Sequence, residues 1–244
     1  VGGPGQARLK SASVLVIGAG GLGSPLILYL AAAGVGRIGV VDFDTVALSN
    51  LQRQIAHRSQ DVGLPKTLSA ARAAVAINPH VEIVRHDLRL TAETAPALLG
   101  AYDLVADGSD NFETRFMVND AAYASRRTLV SAAVTAFDGQ LATFKAHAGD
   151  FPCYRCLFPA PPPAGSAPSC SEAGVLGAVA GVMGTLQAVE VLKEILGIGE
   201  SMAGRLLIYD ALSGRMRDVK VRKDPHCTVC SSRAQDRNPR NSVS

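Results

Sequence analysis

The stretch SVLVIGAGGLGSPLILYLAAAG, residues Ser13–Gly34, constrains this chain more than any other. After Ser13 it opens on Val14-Leu15-Val16-Ile17, all β-branched or apolar, which reads as a buried strand. Gly18-Ala19-Gly20-Gly21-Leu22-Gly23 follows, and then a small-residue helical pattern that Gly34 closes. No charged residue occurs from Ser11 to Gly36, which raises the question of a membrane span. Arg8 and Lys10 in front, with Ala31–Ala33 behind, even imitate a signal peptide. The glycines and Pro25 break the run in its middle, so strand, tight turn and helix is the reading that survives.

The same alternation continues downstream. RIGVVDFD, VEIVRHD, YDLVADGSDN and TLVSAAV read as strands. PKTLSAARAAVAINP, the short TAETAPALLGA and Asn111–Arg126 read as the helices between them. Such βαβα order predicts a parallel sheet covered on both faces. GQLATFKA, GRLLIYDA and GRMRDVKVR lack intervening helices of that kind and predict antiparallel strands added to one side. The expected class is α/β: a Rossmann-like, mostly parallel sheet extended by antiparallel strands.

EAGVLGAVAGVMGTLQAVEVLKEILG reads as one long helix capped by Gly197, uncharged from Ala173 to Val189. It predicts burial in the core or against a second subunit. LFPAPPPAGSAPSC is too proline-rich to pack regularly and is expected to be a mobile loop. Residues 1–230 read as one domain, with a nucleotide-binding half over 11–134 and a second half over 135–230. The polar tail 231–244 is expected to be disordered, and it carries two of the chain's three net positive charges. The remaining body is near neutral, which argues against a nucleic-acid partner.

Four motifs carry chemistry. The glycine turn lets backbone approach a phosphate closely, at a helix end that offers free N–H groups. Asp42 follows Gly23 by 19 residues, at a strand end where a carboxylate can accept from ribose hydroxyls. Tight strand–helix packing without a ligand is the alternative. SNLQRQ, Ser49–Gln54, places Asn50 and Arg53 three residues apart, and Lys66 opens the next helix. Two extra cations suit a triphosphate better than a dinucleotide, although an isolated SNLQRQ is also an ordinary solvated turn. DGSDN, Asp107–Asn111, lies at a strand's carboxyl end. Asp110 there is a candidate for holding Mg²⁺ against phosphate oxygens, and capping of the following helix is the competing reading. Asp107 reads as a turn or helix-start residue.

The fourth motif is a pair of pairs. Cys153 and Cys156 form one C-x-x-C and Cys227 and Cys230 another, with 70 residues between the pairs. Two such hooks complete a tetrahedral thiolate site, and four thiolates with no open position mean structural zinc. A redox C-x-x-C is the alternative. Cys170 remains, in SCSEAGV where the loop meets the long helix. It reads either as a nucleophile with a lowered pKa or as a small residue at a helix entry. The four-plus-one pattern favours a reducing cytoplasm. The five histidines share no ligand spacing, and none receives a role.

VLVIGAGGLGSP, VDFDTVALSNLQRQ, VGLPK, DGSDNFETR, CYRC, CSEAGV, GVMGTLQAVEVLK and CTVC occur here in one order. That order resembles the MoeB/ThiF family of bacterial sulfur-carrier adenylyltransferases, relatives of the ubiquitin-activating enzymes, over essentially residues 3 to 230. The resemblance implies binding of ATP and Mg²⁺. It also implies attack on the α-phosphate by the C-terminal glycine carboxylate of a small ubiquitin-like sulfur carrier ending in Gly-Gly, giving acyl-adenylate and pyrophosphate. It assigns Gly21 to the phosphate loop, Asp42 to ribose, Asn50, Arg53 and Lys66 to phosphates, and Asp110 to the metal. The paired cysteines correspond to its zinc ligands and Cys170 to its loop cysteine, which in ThiF-like proteins can bond covalently to the carrier.

The implied partners are a second copy of the chain and a separate sulfur donor, such as a cysteine desulfurase or sulfurtransferase, since only 14 residues follow Cys230. Family members also carry an arginine ahead of GGPGQ that reaches into the partner subunit's ATP site. The sequence opens at Val1, inside that region and without such an arginine, so the expectation is either that a preceding segment carries it or that this protein differs from the family there. SNLQRQ and YDALSGRMR lean toward the molybdopterin branch, while GVMGTLQA suits the thiamine branch equally. Two rival readings stand beside this one. A Rossmann dehydrogenase using NAD would account for the glycines and Asp42 but not for Asn50, Arg53, Lys66 or the cysteine pairs. A non-catalytic scaffold subunit would have less need of Asp42, Asn50, Arg53, Lys66 and Asp110 together.

Overall fold

The computed structural model describes residues 1–163 and 174–231. Residues 164–173, with Cys170 and the second half of the proline-rich loop, and the tail 232–244 lie outside the described residues. Five strands are parallel: β1 (Ser13–Ile17), β2 (Arg37–Val41), β3 (Glu82–His86), β4 (Leu104–Asp107) and β5 (Thr128–Thr135). Three antiparallel strands follow: β6 (Asp138–Phe144), β7 (Arg205–Asp210) and β8 (Arg215–Lys220). They form one sheet in the order β3-β2-β1-β4-β5-β6-β7-β8. The order reverses between β1 and β4, which opens a crevice at the carboxyl ends of those strands.

Helices cover both faces because every central strand is apolar on both sides. Val14, Val16, Ile38 and Val40 face one layer, formed by α1 (Gly2–Ser11), α2 (Gly23–Ala33), α3 (Lys66–Ile77) and α7 (Gly177–Leu196). Leu15, Ile17, Val105 and Leu129 face the other, formed by α4 (Ala95–Gly100), α5 (Phe112–Ala124) and α6 (Tyr154–Leu157). Each fully buried aliphatic side chain contributes about 1.5–3 kcal/mol. The helix ends follow the sequence. Gly34 and Gly197 close α2 and α7 at φ of 82° and 65°, and Asn111 caps α5 by accepting from Thr114 N at 2.8 Å.

Two departures from the sequence reading have physical causes. Helix α1 lies in the segment read only as the motif GGPGQ, and Arg8 ties it down by donating to Leu196 O at 2.6 Å. The long helix is helical from Gly177, with Gly174–Leu176 non-helical ahead of it. It buries one face rather than its whole girth: Met183 and Gln187 are inside while Val189 is half-exposed. Glu190, where the uncharged run ends, is itself buried, accepting from Thr143 Oγ1 and Met202 N. Among the described residues no helix is long and apolar enough to cross a membrane.

Candidate active site

The crevice holds a cleft of about 570 Å³. The glycine turn forms its floor. Gly18 N donates to Val41 O at 2.8 Å, tying the end of β1 to β2, and Gly18 takes φ 89°. A Cβ built on Gly23 would run into the Gly18 carbonyl oxygen, so the turn closes this tightly only with glycine there. Gly18, Gly20 and Gly21 line the cleft, whereas Gly23 sits behind them as the first residue of α2. Asp42 stands at the end of β2. Its Oδ2 accepts from Ala19 N at 2.8 Å and its Oδ1 from Asp44 N at 2.9 Å. The carboxylate therefore braces the glycine turn and keeps lone pairs for another donor.

Arg53 and Lys66 also line the cleft, Arg53 beside Gly21 of the turn and Lys66 beside Asp44. Arg53 Nη1 donates to Ser49 O at 3.3 Å. The Lys66 side chain is only 9% exposed and its ammonium lies 2.8 Å from Asp44 Oδ2. Asn50 does not line the cleft: its Oδ1 accepts from Ala47 N at 3.2 Å and completes the turn Leu48–Asn50. Asp110 is exposed on the cleft rim.

Asp107 makes the turn expected of it, and it is interior as well. It ends β4, fully buried, and burial raises its carboxyl pKa. Its Oδ1 accepts from Ser109 N at 2.9 Å, and Arg115 donates to Ser109 O at 2.9 Å, so the loop carrying Asp110 is held from below. The segment Leu88–Ala92 after β3 also lines the cleft, and nothing in its sequence advertised that. His57 was given no role, yet it lies buried beneath the glycine turn, its Nε2 2.9 Å from Ala19 O. Only a three-dimensional contact reveals it.

The four paired cysteines converge away from the cleft, joining the start of α6 to the segment after β8. One sulfur from each lies within 4.8 Å of the others. Sγ–Sγ distances of 4.0 Å (Cys153–Cys156), 3.5 Å (Cys153–Cys227) and 3.4 Å (Cys156–Cys230) bracket the edge of about 3.8 Å expected for a tetrahedron with bonds of about 2.3 Å. The donor set thus fits a zinc ion.

The ThiF family profile matches residues 1–229. The chain belongs to the ThiF family. Relatives within the family include the sulfur carrier protein adenylyltransferase of Thermus thermophilus, 52% identical over 240 residues, which are 97% of this chain and 89% of that protein. The adenylyltransferase and sulfurtransferase MOCS3 of Bos taurus is 52% identical over 94% of this chain and 50% of its own length. A probable adenylyltransferase/sulfurtransferase of Mycobacterium tuberculosis, MoeZ, is 52% identical over 91% of this chain and 57% of its own. This ThiF-family chain thus spans about half the length of the latter two. These relatives are named adenylyltransferases, and that enzyme class goes with the family. Among solved structures, E. coli MccB with ATP superposes with a TM-score of 0.83 at 22% identity, over 93% of this chain and 69% of that one, and shows the shared fold.

Proposed function

We infer that this chain adenylates the C-terminal glycine carboxylate of a small ubiquitin-like sulfur carrier, using ATP. The observation that carries the reading is the convergence of the glycine turn, Asp42, Arg53, Lys66 and Asp110 on one cleft at the sheet's switch point. A dehydrogenase has no use for the two cations, and a scaffold subunit has no use for the set. In this reading the turn's N–H groups and the start of α2 cradle the phosphates and Asp42 accepts from the ribose. Asn50, behind the wall, supports Arg53.

The carrier carboxylate forms a bond to the α-phosphorus, the bond to the β-phosphate oxygen breaks, and pyrophosphate leaves. Both reactants are anions, so positioning and positive charge matter more than a general base. Arg53 and Lys66 supply that charge. Asp110 would hold Mg²⁺, which neutralises phosphate charge when bound. Cys153, Cys156, Cys227 and Cys230 would hold a structural Zn²⁺ that clips the segment after β8 onto α6.

The single domain 1–230 acts in this reading as a homodimer in a reducing cytoplasm, and the acyl-adenylate passes to a sulfur donor such as a cysteine desulfurase or sulfurtransferase. Cys170 belongs in this reading to that later sulfur step and not to adenylation. SNLQRQ and YDALSGRMR favour the molybdopterin carrier over the thiamine carrier. The test is incubation with Mg²⁺-ATP and each diglycine-ended carrier, reading the carrier acyl-adenylate by intact mass. Adduct on neither carrier overturns the reading, and adduct on the thiamine carrier alone overturns the pathway assignment.

A further inference from the structure

Three buried polar residues form a chain beneath the glycine turn. Ser69 Oγ donates to Asp61 Oδ2 at 2.8 Å, His57 Nδ1 lies 2.9 Å from Ser69 Oγ, and His57 Nε2 lies 2.9 Å from Ala19 O. All three side chains are at most 6% exposed, so water does not complete their bonding. Asp61 is held ionised by the Ser69 hydroxyl and the Arg58 N–H, and so can only accept. Ala19 O can only accept as well.

Counting hydrogens gives an imbalance. A hydroxyl that donates to Asp61 must accept from His57 Nδ1, and Ala19 O requires a hydrogen on Nε2. A neutral imidazole has one ring hydrogen, so one of the three contacts goes without. An imidazolium fills all three. Burial works against the charged ring and lowers its pKa, as does Lys66 at the start of α3. Asp42 at the end of β2, Asp61 and the Ala19 carbonyl act the other way. A group poised between those demands responds to charge delivered nearby, and Ala19 belongs to the turn that lines the cleft floor.

We propose that His57 is a positioning residue of the glycine turn that takes up a proton from solvent when a nucleoside triphosphate binds. Bound polyphosphate brings about four negative charges to the turn. The added proton completes the chain from Asp61 to Ala19 O and fixes the turn in its phosphate-binding form. The inference rests on the reading of the cleft as an ATP site, and it adds a residue and a proton that the reading does not require.

The experiment is calorimetric titration of the full chain with ATP, in buffers of different ionisation enthalpy, for the wild type, His57→Gln and His57→Ala. Glutamine keeps one N–H for Ala19 O and cannot titrate. Protons released by ATP itself are common to all three and cancel in the differences. The wild type should take up about half a proton or more above His57→Gln at pH 7. Its affinity relative to that variant should rise severalfold from pH 8 to pH 6. His57→Ala should bind ATP about tenfold more weakly than His57→Gln at both pH values, the worth of one buried hydrogen bond. If His57→Ala does not fold, the comparison with His57→Gln decides alone. Equal proton uptake in wild type and His57→Gln, with ATP bound by both, overturns the inference and leaves the ATP reading standing. A wild type that does not bind ATP overturns both.

Discussion

The Lys66 ammonium is paired with the Asp44 carboxylate at 2.8 Å, the lysine almost wholly buried and the aspartate half-exposed on the cleft wall. The two belong to different elements, the start of α3 and the turn after β2, and Lys66 N also donates to Asp44 O at 3.0 Å. The nucleotide-free cleft therefore already aims a cation at its own interior.

Lys66→Ala should lower carrier-dependent exchange of pyrophosphate into ATP by about a hundredfold or more, because a charge aimed at the displacement is lost. Stability should hardly change, since the partner left behind is half-exposed and solvated. Near-normal exchange in a folded Lys66→Ala chain would remove Lys66 from the mechanism.

Gly23→Ala should fail differently. Its new methyl group meets backbone, the Gly18 carbonyl, which cannot rotate away. The expected cost is about 2 kcal/mol or more of stability together with lost nucleotide affinity. Gly3→Ala, where a Cβ meets nothing within 4 Å, is the control and should melt like the wild type. Equal melting temperatures for Gly23→Ala and wild type would show that the turn relaxes freely.

What the sequence disclosed follows from the range of the signal. Ser13–Gly34 was legible because strand period, glycines and helix period are local, and the cysteine pairs because three-residue spacing is itself the ligand geometry. Asp107 beside Gly108 was legible as turn chemistry, but only the sheet around β4 shows it to be interior. His57, the Lys66–Asp44 pair and the Leu88–Ala92 wall depend on contacts across 12 to 38 residues or on a neighbouring strand, which no local pattern encodes. Helix α1 escaped because its glycines and proline argue against a helix, while its anchor, Leu196, lies 188 residues from Arg8.

Metal removal should loosen one end of the sheet. Cys227 and Cys230 meet Cys153 and Cys156 sulfur to sulfur, joining the segment after β8 to α6, and the apolar cluster around them is small. Chelation, or Cys227→Ser, should release one zinc ion per chain by native mass spectrometry and lower stability by several kcal/mol, of the order of ~3–5. Thiols this close also compete for protons: the hydrogen bond with Cys156 pushes the Cys153 thiol far up, and the same contact pulls Cys156 down to about 2. A metal-free preparation that melts with the wild type would count against a structural clip.

Acidification should destabilise the nucleotide-free chain through three histidines. Burial lowers the pKa of His57, His86 and His147 below 6.5. Lys66 adds to this at His57, Arg37 at His86, and Arg126, Arg127 and Lys145 at His147. Each ring is then neutral in the folded chain over a range where the unfolded chain is protonated. The unfolded state binds more protons there, so stability rises with pH through that window. Their contribution is complete above 6.5 and is lost as pH falls through the lower folded values. The melting temperature should drop by several degrees between pH 7 and pH 5, as expected when about 1–2 kcal/mol is lost. His86→Gln, which keeps a polar group 2.8 Å from Tyr102 Oη in reach, should reduce the slope without abolishing it. Saturating ATP should flatten it further, because in the bound chain His57 is already protonated and no longer opposes acid. A melting temperature independent of pH over this range would show that these rings titrate alike folded and unfolded.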